Sequence, residues 1–92
     1  MSSIELNPSL TSCIESEAKR EYRETLRKLL AAEDETPELK ARFELLRAFL
    51  ERADFGQLRA DYEKRLLEGR KVKFTIYMEK GEPRYSVEIS SP

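Results

Sequence analysis

A side chain that does chemistry must be a nucleophile, a proton-transfer group or part of a ligand set. This chain offers few of these. It has one cysteine, Cys13, and no histidine among its 92 residues. Without imidazole there can be no Ser/His/Asp or Cys/His arrangement and no His-containing zinc site. A single thiolate cannot complete a Cys-only site either. Cys13 falls near a predicted helix start, where the helix terminus would lower a thiol pKa. No second cysteine or base is close in sequence, so a small tolerated residue is the expectation there. Acids and bases nearly balance, 18 against 17. Most carboxylates have a basic residue three or four positions away, as in Glu15–Lys19 and Glu24–Lys28, the mark of a solvated helix face. The glycines, Gly56, Gly69 and Gly81, stand singly, and no phosphate-cradling loop is present. The chain is therefore expected not to be an enzyme, with no catalytic residues, no metal and no cofactor.

Two groups of residues point to binding instead. Arg59, Lys64, Arg65, Arg70, Lys71 and Lys73 gather between the third helical segment and the strand that follows. Within this group Arg59, Arg70, Lys71 and Lys73 are the candidate contacts to nucleic acid. Asp61, Glu63 and Glu68 interleave with them and would neutralise much of the field. The second group is apolar or aromatic: Tyr22, Leu26 and Leu30 on the first helix, and Tyr77 on the polar face of a strand. These are the candidate protein-interface residues: the first helix carries more apolar surface than one neighbour needs, and an exposed tyrosine such as Tyr77 can anchor an interface.

The elements that would position these residues follow from periodicity. Val72, Phe74, Ile76 and Met78 alternate with Lys73, Thr75 and Tyr77, and Tyr85, Val87 and Ile89 alternate with Ser86, Glu88 and Ser90. This is a β-hairpin. A two-residue loop at Lys80-Gly81 would pair Ile76 with Tyr85, Phe74 with Val87, Val72 with Ile89 and Lys73 with Glu88. A four-residue loop through Pro83 keeps the faces matched as well, whereas an odd loop would oppose apolar to polar. A lone hairpin is marginal in water, so the face carrying Phe74, Ile76 and Val87 must be closed by the helices or by a second copy of the chain. Tyr22, Tyr62 and Tyr85 fall on core faces, with hydroxyls expected at the rim.

Upstream, three amphipathic helices are predicted. The first has two possible starts, Asn7-Pro8 and Ser12-Cys13-Ile14-Glu15; it is placed from Pro8 to about Ala32, with a stripe of Ile14, Ala18, Tyr22, Thr25 and Leu29. After the acidic stretch at 33–35, Thr36-Pro37-Glu38 starts the second, which runs to about Arg52 as the partner of an antiparallel helical hairpin. Leu39, Phe43, Leu46 and Leu50, widened by Leu45, Phe49 and Ala53, give it the broadest apolar arc. Asp54 opens the third helix, with Phe55, Leu58, Tyr62 and Leu66 on one face, and Gly69 ends it. The result is one α+β domain over residues 1–92, three helices followed by a C-terminal antiparallel hairpin, with residues 1–7 as a flexible arm, docking of Ile4 and Leu6 as a short extended segment being the alternative.

Net charge is −1, which gives no bulk attraction to nucleic acid or anionic membrane. The apolar runs fall well short of a membrane span, and Met1 to Leu6 lacks signal-peptide character; a cytoplasmic location is expected. A two-stranded sheet has two free edges, and the first helix carries more apolar surface than one neighbour needs. A homodimeric protein-interaction module is the leading expectation on those grounds. A nucleic-acid-associated regulator is the second.

Overall fold

The computed structural model describes residues 3–31 and 36–90. The chain runs β1 (Ser3–Leu6), α1 (Ile14–Ala31), α2 (Pro37–Arg52), α3 (Phe55–Leu67), β2 (Lys71–Glu79) and β3 (Glu82–Ser90). The expected α+β order is present, with one addition. Residues 3–6 are not a flexible arm but an antiparallel edge strand on β2, with Ile4 opposite Ile76 and Leu6 opposite Phe74. The sheet order is β1-β2-β3. Two alternating apolar residues suffice for this strand because both side chains are buried in the core.

The hairpin adopts the two-residue register. Ile76 faces Tyr85, Phe74 faces Val87, and Val72 faces Ile89. Lys80 and Gly81 both have positive φ, 51° and 76°, the geometry of a type I′ turn, whose twist matches that of the flanking strands. Lysine tolerates that region less well than asparagine or glycine. The gain in strand pairing carries it.

Each helix end has a local cause. The Thr36 hydroxyl accepts from the Leu39 N–H at 3.2 Å and the Asp54 carboxylate accepts from the Gln57 N–H at 3.1 Å, so both residues are N-caps. At the end of α3, the Gly69 N–H donates to the Leu66 carbonyl and the Arg70 N–H to the Arg65 carbonyl. Gly69 has φ 82°. This is a Schellman stop, and it turns the chain straight into β2. The first helix differs from expectation, starting at Ile14 rather than Pro8. Pro8 is buried, and Ser9 to Ser12 form a hydroxyl-rich turn in which the Ser9 N–H donates to the Ser12 carbonyl at 2.8 Å. The acidic stretch at 33–35 and the expected end at Ala32 lie outside the described residues.

The helices lie on one face of the sheet. α2 touches α1 through the Tyr22–Phe43 stack, with centroids 5.0 Å apart, and α3 through the edge-on Phe49–Phe55 pair. Beneath them the core joins Ile4, Leu6, Ile14, Ala18, Leu45, Leu46, Phe49, Leu58, Tyr62, Val72, Phe74 and Ile76. Every strand residue in that core belongs to β1 or β2. Truncating Leu6 to alanine should therefore cost about 2–5 kcal/mol of unfolding free energy in urea titrations. A change within about 0.5 kcal/mol, as at an unstructured surface site, would contradict the β1 assignment.

Candidate functional site

On the inward face of β3 the apolar side chains are only partly covered. Phe74 and Ile76 are closed off, as expected, but Tyr85, Val87 and Ile89 remain 49%, 41% and 42% exposed. Of the two covers expected from the sequence, the helices or a second copy, the helices of this chain do not close Val87, and Tyr85 is half-exposed. The helices reach β3 at the end near Pro83, where Phe49, Ala53 and Leu58 line a small cleft with Pro83 and Tyr85. Beyond it, a groove of about 470 Å³ runs between α3 and β3, floored by Phe74 and walled by Tyr85, Val87 and Ile89 on one side and by Leu58, Asp61 and Lys64 of α3 on the other.

Among the described residues the outer edge of β3 is also free, since the sheet order ends there. In a two-residue hairpin the closing pair, Glu79 and Glu82, is hydrogen-bonded, and bonded and non-bonded pairs then alternate along the strand. The backbone groups of Glu82, Arg84, Ser86, Glu88 and Ser90 therefore point to β2. Those of Tyr85, Val87 and Ile89 point outward, as does the Pro83 carbonyl. The residues with exposed apolar side chains are thus the ones with unpaired backbone donors and acceptors. The other outer edge belongs to β1, which is only four residues long.

The interface candidates read from the sequence are not brought together. Tyr22 is half-buried against Phe43, and Leu26 is half-buried on the same helix. Leu30 is 80% exposed. Tyr77 lies on the opposite, polar face of the sheet, across from Arg84. Periodicity marked Tyr85, Val87 and Ile89 as apolar but could not show that the helices would leave them open.

Most of the basic group is paired with carboxylates. Arg59 meets Glu63 at 3.5 Å, and Arg65 and Arg70 meet Glu68 at 3.6 and 3.4 Å. Lys73 lies between Glu5 on β1, at 3.2 Å, and Glu88 on β3, at 4.0 Å. Lys71 begins β2. Such exposed pairs add little stability, but they do cancel charge.

Cys13 borders a second concavity of about 160 Å³, with Ser9, Thr11, Ser12 and Arg59. Its thiol is held below the ordinary cysteine value by the backbone N–H and the hydroxyl of Ser16, with a smaller contribution from Arg59. The carboxylate on that wall, Glu63, is engaged with Arg59. Among the described residues no three His, Cys, Asp or Glu side chains converge as a metal ligand set.

Tyr62 links this corner to the groove, and it is more buried than expected. Its hydroxyl is not at a rim; it accepts the Ile14 N–H at 3.0 Å and so satisfies the first turn of α1 from α3. Its ring packs edge-on against Phe74 at 5.6 Å. Burial is the main reason its pKa is raised above the usual tyrosine value. A raised pKa in the folded state means that the unfolded chain releases the proton first, so this contribution is whole below about pH 10 and lost as pH climbs beyond it. Tyr62→Phe should cost about 1–2 kcal/mol at pH 7, by leaving the Ile14 N–H without its partner. It should also flatten the alkaline loss of stability seen in urea midpoints between pH 9 and 11. Identical alkaline slopes in the two proteins would contradict this.

No curated protein and no solved structure matches the chain. A protein-family model does, over residues 2–88, a span that takes in β1, all three helices, β2 and β3 as far as Glu88; the chain belongs to that family.

Proposed function

We propose that this chain is a small non-enzymatic protein-interaction module, cytoplasmic and homodimeric, that works by covering the apolar face and free edge of β3 with a second copy. The observation that carries the reading is the coincidence on Tyr85, Val87 and Ile89 of exposed apolar side chains and outward backbone groups. Sheet edges are usually blunted by shortness, charge or a bulge. β1 is short; β3 has nine residues, with Pro83 and the charges Glu82, Arg84 and Glu88 on it, but Tyr85, Val87 and Ile89 make its inward face apolar. Closing the exposed half of each side chain is worth about 1 kcal/mol, small for one but sizeable when both copies contribute three. Strand addition supplies the hydrogen bonds as well.

A nucleic-acid role for Arg59, Arg70, Lys71 and Lys73 has weaker support. Arg59, Arg70 and Lys73 each have a carboxylate beside them, and a phosphate-binding face needs unpaired cations that converge.

Light scattering at micromolar concentration should give the mass of a dimer. Val87→Asp, an exposed substitution expected to leave helix content unchanged, should give a monomer. A parent chain that is monomeric throughout the micromolar range would overturn the proposal.

A further inference from the structure

We infer that β3 recognises β3 of a second copy antiparallel and in one register, the one that sets Arg84 of each chain against Glu88 of the other with Ser86 on the two-fold axis. This rests on the self-association proposed above and assigns its specificity-determining residues. Direction comes first. Antiparallel pairing about an axis perpendicular to the sheet puts both apolar stripes on the same side, facing the two helix layers. Parallel pairing would put them on opposite sides.

Backbone parity comes next. Only Pro83, Tyr85, Val87 and Ile89 turn their backbone groups outward, so a hydrogen-bonded pairing must oppose members of that set to one another. This leaves registers that differ by steps of two residues. Charge on the polar face separates them. If Val87 opposes Ile89, Glu88 meets its own copy. If Tyr85 opposes itself, Glu82 meets Glu88. If Tyr85 opposes Pro83, Arg84 meets its own copy. Like charges directly opposite one another are destabilising. If Val87 opposes itself, Arg84 faces Ser90 and Glu88 faces Ser86, with no charge matched.

The remaining extensive register opposes Tyr85 to Val87 and Pro83 to Ile89. On the polar face Arg84 then meets Glu88, twice by symmetry, and Ser86 meets Ser86. It also places an aromatic ring against a β-branched side chain twice, a favourable cross-strand pair. Both charged groups are available, with side chains 56% and 73% exposed for Arg84 and Glu88. Within a protomer Arg84 reaches Glu82 at 3.2 Å and Glu88 only loosely reaches Lys73 at 4.0 Å. The interface is isologous and consumes the long free edge of each copy, so the assembly closes at two.

The register is tested by cross-linking in a Cys13→Ser background, which removes the native thiol. Opposed residues of a non-hydrogen-bonded antiparallel pair have Cα atoms about 4.5 Å apart, within disulfide range. Ser86→Cys should oxidise to a covalent dimer at least about tenfold faster than Arg84→Cys or Glu88→Cys alone, while an equimolar mixture of the last two should cross-link to each other. Without cysteines, Arg84→Glu should weaken the dimer roughly tenfold, and Arg84→Glu with Glu88→Arg should restore it, since the swap re-forms both pairs. A dimer that cross-links best elsewhere, or is indifferent to the swap, overturns the register and leaves self-association standing. A parent chain that is monomeric in sedimentation before any oxidation overturns both, and leaves the edge to a strand of another protein.

Discussion

Everything in this fold hangs on β2 being paired on both edges. Its inward side chains, Val72, Phe74 and Ile76, are 4%, 1% and 0% exposed, and they are so well covered because β1 flanks them on one side while the helix layer closes above. Apolar burial is the main favourable term in folding, and β2 lies at the centre of a core to which β1 and the helices contribute the remaining side chains. On the neighbouring strand β3 the inward residues Tyr85, Val87 and Ile89 stay partly exposed.

Tyr62 serves the core and borders the β3 groove at once. Its ring helps to close Phe74, its hydroxyl supplies the acceptor that the first turn of α1 lacks, and its position on α3 puts it beside the β3 groove. The Schellman stop at Gly69 then fixes how α3 enters β2. Together these contacts hold the wall and the floor of the groove as one body, so the proposed pairing at β3 needs little reordering of that surface. Such preorganisation lowers the ordering cost of association.

The hairpin was legible in the sequence because strict alternation on both strands and an even loop leave few registers, and Lys80-Gly81 takes the shortest of them. The starts of α2 and α3 were legible for a similar reason: Thr36 and Asp54 are capping residues in the right place. Other features were not. β1 has only two inward residues, Ile4 and Leu6, too few for period-two alternation to stand out from a frayed terminus. Of the two starts open to α1, proline favours Pro8, but Pro8 is buried and Tyr62, 48 positions away, accepts the Ile14 N–H, so the helix begins within the other, Ser12-Cys13-Ile14-Glu15. The interface candidates on the apolar stripe of α1 and on the polar sheet face, Tyr22, Leu26, Leu30 and Tyr77, sit on separate surfaces. The β3 stripe carried the same apolar signal as core, and only the placement of three helices over three strands distinguishes the two.

The most direct test of the account is amide hydrogen exchange on β3 as a function of protein concentration. The N–H groups of Arg84, Ser86 and Glu88, bonded to β2, should be protected at every concentration. Those of Tyr85, Val87 and Ile89 should be slow in concentrated protein and become fast on dilution, as the second strand leaves. If these three exchange rapidly at all concentrations while their neighbours stay protected, nothing pairs with the edge of β3 and the account is wrong.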